Sequence, residues 1–184
     1  MIPTGKKCRE LWDKYEVSEY KRKHMEIVAK VARLLATKTK SQKPKAKINI
    51  DLLFAACLLH DLDKNVPKTP GEKHPDAAVR ILNDEKMGEV AKLVATHSLH
   101  NIIDSDLKPK SIEEKILFLS DKMVKDDVIT VDERFRLWKD ERLPLQEQTI
   151  LDKSYPLVKA LEDEIMTSLS ITPDDIKEIV HNMS

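Results

Sequence analysis

From Leu52 to Leu59 the chain reads LLFAACLL, eight residues without a polar side chain, and then it turns abruptly to His60-Asp61-Leu62-Asp63-Lys64. Such a run is too short to span a bilayer, which needs roughly 20 apolar residues. It has to be buried in protein instead, and Asn49 or Asp51 supplies a helix cap just before it. The spacing therefore predicts a helix to about Asp61 that is apolar on nearly every face and central to the fold. A buried helix that ends on an ionisable pair needs something to compensate those groups, because an unpaired imidazole or carboxylate away from water is costly.

The flanking sequence reads as helices joined by loops. Ile27, Val28, Val31, Leu34 and Leu35 share one stripe of a helix from about Glu19 to Thr37, and His24 extends that stripe inward. The lysine-rich stretch 37–47, with Pro44, reads as a solvated connector, and residues 65–73, with two prolines and a glycine, as a loop. Pro75 suits the first turn of a helix over 75–83. Val90, Leu93, Val94 and His97 then fall on one face of a helix over about 85–100, with His100 a turn later. Ser111 and Glu114 form a capping-box pair opening a helix through about Lys125, with Asp121 on or beside its buried side. A short helix near 131–139, a long segment over 145–169 interrupted at Pro156, and a last helix begun by Thr172-Pro173-Asp174 complete the chain.

No strand pattern and no repeat is evident, and three glycines with 4% aromatic residues leave little material for a sheet-rich core. The expected fold is all-α: a single compact helical domain over residues 1–184. Thirty-two basic residues balance 32 acidic ones, so charge gives no strong case for nucleic acid or a membrane surface as partner. Cys8 and Cys57 show no metal-type spacing, and Cys57 lies in the apolar run as a small buried hydrophobe. The first ten residues hold no apolar signal segment, so a reducing, cytoplasmic setting is expected.

All but one of the six histidines lie between residues 24 and 100. Each alone is explained as a hydrogen-bonded core residue. His24, His60-Asp61, His74, His97 and Asp121, however, come from five helices or helix starts near the interior. Imidazole and carboxylate together suit a divalent transition metal such as Mn, Fe, Co, Ni or Zn, with Mg also possible.

The ordered set His24, LLHDLDK (58–64), KHPDAAVRIL (73–82), ATHSLH (95–100) and LSDKMV (119–124) resembles the HD-domain superfamily of metal-dependent phosphohydrolases. The likeness covers about residues 20–125, with residues 126–184 as a C-terminal helical extension that matches no motif and is expected to brace the core. HPDAA departs from the family's H-G-x-x-G-A form in both glycines. Within the superfamily the chain is most similar to small stand-alone bacterial proteins, among them the HD-type enzymes that split diadenosine tetraphosphate. The resemblance implies His24, His60, Asp61 and Asp121 as ligands of one ion, and His74 and His97 as additional ligands for a second. It also implies Lys64 as a catalytic-site cation near substrate phosphate, with Asp61 as the central, bridging carboxylate. His100 is a further candidate to stabilise developing charge. The implied activity is hydrolysis of a phosphate ester or anhydride of a small nucleotide-like substrate by metal-activated water. The alternatives are a nucleotide-sensing metal-binding module with little turnover, and a helical protein whose histidines only pack.

Overall fold

A computed structural model describes residues 1–183, and among them every regular element is helical. The helices are α1 (Gly5–Lys14), α2 (Glu19–Gln42), α3 (Ile50–Leu59), α4 (Asp76–Asp84), α5 (Gly88–Ala95), α6 (Ile112–Lys122), α7 (Val131–Asp140), α8 (Leu145–Leu169) and α9 (Pro173–His181), with a 3₁₀ segment at Leu99–Ile103. The apolar run forms α3, capped by the Asn49 side chain and buried from Ala55 to Leu59. It lies at the centre, against α2, α5, α1 and α6, while α2 also meets α9 and α8. No helix among the described residues is long and apolar enough to cross a membrane.

The end of α3 shows how packing and site formation coincide. The last carbonyls of a helix lack partners within it. Here the Trp12 indole N–H of α1 donates to the Leu58 carbonyl at 2.6 Å, and His60 Nδ1 reaches back to the Cys57 carbonyl at 2.8 Å. His60 itself is the C-cap, so the His60-Asp61 pair stands where the helix stops and the backbone is free to aim both side chains at one place. The helix α1 was not evident from the sequence; its Cys8, Leu11 and Trp12 form the short stripe that buries it.

Several boundaries differ from expectation. The lysine-rich stretch is not all connector. Helix α2 continues to Gln42, because Thr39 is buried with its hydroxyl on the Leu35 carbonyl and the Gln42 amide donates to the Leu169 carbonyl. Pro156 does not interrupt α8. Its ring is exposed, as is Asp152 one turn earlier, so water can satisfy the carbonyl that loses its partner. The expected helix over 85–100 is shorter. It ends at Ala95, where the Thr96 hydroxyl and His97 Nδ1 take over the Leu93 and Val94 carbonyls.

Candidate metal centre

Four imidazoles and three carboxylates meet at the junction of α2, α3, α4, α5 and α6. His24 comes from the second turn of α2, His60 and Asp61 from the end of α3, and Asp63 from the turn beyond it. His74 precedes α4, His97 follows α5, and Asp121 lies in the last turn of α6. The structure thus brings together all six residues singled out as ligands from the sequence. Three groups of donor atoms each lie within 4.8 Å of one another: His24, His60 and Asp121; His60, Asp61 and His97; and Asp61, Asp63 and His74.

Hydrogen bonding on the outer side of each ring determines what the inner side presents. A carbonyl or carboxylate can only accept, so the ring nitrogen beside it must carry the hydrogen. His60 Nδ1 faces the Cys57 carbonyl, His97 Nδ1 the Val94 carbonyl at 2.6 Å, and His74 Nδ1 the Asp63 carboxylate at 2.9 Å. His24 Nδ1 faces the Lys125 carbonyl at 3.4 Å. In the neutral rings every Nε2 then offers a lone pair to the interior. His97 Nε2 and His74 Nε2 stand 3.0 Å apart, close enough to share one proton. His24 Nε2 lies 3.1 Å from Asp121 Oδ1, and His60 Nε2 lies 3.4 Å from the same oxygen and 4.0 Å from Asp61 Oδ2. His60 Nε2 is buried without a hydrogen-bond partner. Such a collection of inward lone pairs is stable only around positive charge, supplied by protons or by a metal. Outer N–H groups tied to carbonyls and a carboxylate are also the usual support of metal-bound histidines. The donor set fits a divalent metal.

Charge in the cluster is arranged accordingly. Burial pushes Asp61 toward its neutral form, but His60, Lys64 and Lys21 outweigh it and hold the carboxyl well below the usual carboxylate range. The Lys21 ammonium donates to Asp61 Oδ2 at 2.7 Å, and Lys64 stands 3.3 Å from Oδ1. Asp121 is likewise held low, against burial, by the adjacent Lys122 and by His24 and His60. Burial, with His60 and His74 nearby, pushes His97 well below its ordinary value, so its ring is neutral at pH 7. His60 is raised, because Asp61 and Asp121 outweigh desolvation.

Three contributors were missed by sequence reasoning. Asp63 is fully buried and orients His74; its place in the HDLDK stretch was the available signal. Lys122 is buried beside Asp121 and donates to the His97 carbonyl at 2.9 Å, and Lys21 reaches across from α2. A lysine next to a carboxylate is too common in a chain with 35% charged residues to stand out. His97 owes its burial to a turn rather than to the helical face predicted for it. His100, a candidate to stabilise developing charge, is a surface residue. It stands exposed at the mouth of the site, where partial desolvation, His74 and Lys122 lower its pKa and favour the neutral ring.

The cluster opens into a cleft of about 420 Å³ whose walls include Lys21, Lys64, His100, Lys122, Arg134 and Trp138. Arg134 and Trp138 belong to α7, so the C-terminal extension does more than brace the core. Residues 22–126, more than half of the chain, match the family model of the HD domain. The chain belongs to the HD-domain family. Members are generally metal-dependent hydrolases, and the HD domain here carries the His/Asp groups that can hold a divalent ion. No curated protein and no solved structure matches the chain significantly. Helices α7 to α9 lie beyond the matched HD domain.

Proposed function

We propose that the protein is a metal-dependent phosphohydrolase acting on a small nucleotide-like phosphate ester or anhydride. The observation that carries this reading is the inward convergence of four imidazoles with the Asp61 and Asp121 carboxylates: His24, His74, Asp61 and Asp121 line a cleft walled by cations, and His60 and His97 are buried behind them. His24, His60, Asp61 and Asp121 would hold a first ion, and His74 and His97, with Asp61 between the two groups, a second. A divalent ion in such a place supplies Lewis acidity toward a phosphoryl oxygen and a nucleophile at neutral pH.

The chain's own residues supply the rest. Carbonyls and Asp63 keep each imidazole in the tautomer that points its lone pair inward. Asp61 and Asp121 stay ionised because lysines stand against them. Lys64, exposed at the rim, is placed to meet a phosphate and to stabilise charge that develops as the ester bond breaks. Lys21 and Arg134 add positive charge on other sides of the same cleft.

Metal analysis of the purified protein and a phosphate-release screen with added Mn²⁺, Mg²⁺ or Fe²⁺ test the proposal. Bound metal with turnover of a nucleotide supports it. Bound metal without turnover of any phosphate ester or anhydride favours a sensing module, and absence of metal affinity leaves only the packing role. Diadenosine tetraphosphate belongs in the screen because of the likeness noted in the sequence.

A further inference from the structure

Beside the metal-site cleft lies a second hollow of about 330 Å³, and the two share Leu99, His100 and Trp138 in their walls. They are therefore neighbours on the surface, meeting at those three residues. Their chemistry differs sharply. The cleft carries Lys21, Lys64, Lys122 and Arg134. The hollow is floored by Leu143, Ile150 and Leu151, with no lysine or arginine, and Glu141 and Glu147 stand exposed at its edge. Most of this hollow comes from α7, α8 and the turn between them, outside the part of the chain that matches the family.

Arg134 lines the cleft beside Trp138, one of the residues the two hollows share. Its guanidinium lies over the Trp138 ring, 4.5 Å from the centroid, and its Nε is buried without a hydrogen-bond partner. Among the described residues no carboxylate forms a salt bridge with it, although nearly every other charge around the site is paired. A guanidinium held over an indole, with unused donors in a cleft, is suited to grip phosphate oxygens.

We infer that one nucleoside phosphate spans both hollows: Arg134 holds the phosphate in the cleft beside the metal-ligand cluster, and the adjacent apolar hollow holds the nucleobase against Trp138. This rests on the phosphate-binding reading of the cleft proposed above. The occupant of the hollow must be apolar enough for leucine and isoleucine walls and flat enough to lie along an indole. It must also avoid negative charge, because two carboxylates stand at the edge. A base with an exocyclic amino group meets all three conditions, since its N–H groups can donate to Glu141 or Glu147. An alkyl chain would gain nothing from those hydrated carboxylates, and a second phosphate would be repelled by them. A pocket of a few hundred Å³ with apolar walls and a few placed polar groups is the usual form of a small-molecule site.

Isothermal titration calorimetry with two phosphonates that no phosphohydrolase can cleave, the 5′-phosphonate analogues of AMP and of ribose 5-phosphate, tests the assignment on the protein as purified. The wild type should bind the adenosine compound about tenfold or more tightly than the ribose compound, the scale of one base stacked on an aromatic ring. Ile150→Trp fills the hollow, and Leu143→Arg fills it from the turn; in each variant that shows a wild-type circular dichroism spectrum, the ratio should fall toward one. Arg134→Gln should weaken both ligands about tenfold or more while keeping the ratio. A wild-type ratio near one, an unchanged ratio in the folded filling variants, or wild-type affinities in Arg134→Gln overturns the inference. Phosphate release is measured separately. A protein that lacks turnover but shows the ratio supports this inference while the hydrolase proposal fails, and an active hydrolase without the ratio does the reverse.

Discussion

Asp63 tests whether the orientation of the histidines, and not merely their presence, makes the candidate metal centre. Its side chain is fully buried, Oδ1 accepts the His74 Nδ1 hydrogen at 2.9 Å, and Oδ2 is without a partner. Asp63→Ala removes the acceptor that holds His74 Nε2 toward Asp61 and His97. Loss of such an outer partner lowers metal affinity about 10- to 100-fold, or about 1.4–2.7 kcal/mol. Asp63→Asn keeps a carbonyl oxygen for His74 but loses the charge, so its affinity should fall less, near the lower end of that range. Stability of the metal-free protein should change little in the asparagine variant, because a charge-assisted hydrogen bond is weakened while a half-satisfied buried carboxylate is removed. Competition with a chromophoric chelator gives affinity and stoichiometry together. An isotherm for Asp63→Ala identical to wild type would refute the orienting role. Loss of one whole equivalent of metal in Asp63→Asn would refute it differently, by making Asp63 a ligand.

Asp61→Ala should yield folded protein without bound metal or hydrolysis, checked by metal analysis beside circular dichroism; retained metal would contradict a central role for this carboxylate. His74→Ala and His97→Ala should each leave about one ion bound with most activity lost, as a two-metal site requires, whereas a wild-type crystal soaked in Mn²⁺ with a single anomalous peak near Asp61 would exclude the second ion. Lys64→Ala should keep its metal while phosphate release falls about 10²–10³-fold, the range for one preorganised charge donor, and metal loss would move Lys64 into the ligand support. In the loop before His74, Arg80 and the Thr69 N–H hold the Glu72 carboxyl at about 2, below its ordinary 4.5. A depressed carboxyl stabilises the fold above its unfolded pKa and loses that contribution as pH falls through the folded value. The loop should thus stay tethered down to about pH 4.5 and loosen toward pH 2, and an NMR titration of Glu72 centred near 4.5 would show that the tether does not form.

Helical class, the buried centre and the identity of the ligand-type residues were legible in the chain because each depends on local pattern. An unbroken apolar run has to be buried, a Ser-x-x-Glu pair opens a helix, and histidines and an aspartate on inward faces are chemically conspicuous wherever they fall. Tertiary structure decided what those residues do to one another. The His97 ring is buried because helix α5 stops early and the side chain closes on the Val94 carbonyl, a competition between backbone and side-chain donors that periodicity does not register. Asp63 became an orienting group only when the turn after α3 brought it under His74, and Lys21 and Lys122 became counter-ions only when α2 and α6 met at the end of α3. Arg134 and Trp138 show the same limit most plainly. They lie more than sixty residues beyond the His60-Asp61 pair, on an amphipathic helix that by pattern is merely packed, and nothing local distinguishes them. Sequence spacing governs which face of a helix a side chain occupies, whereas the long-range packing of helices determines which other face it meets.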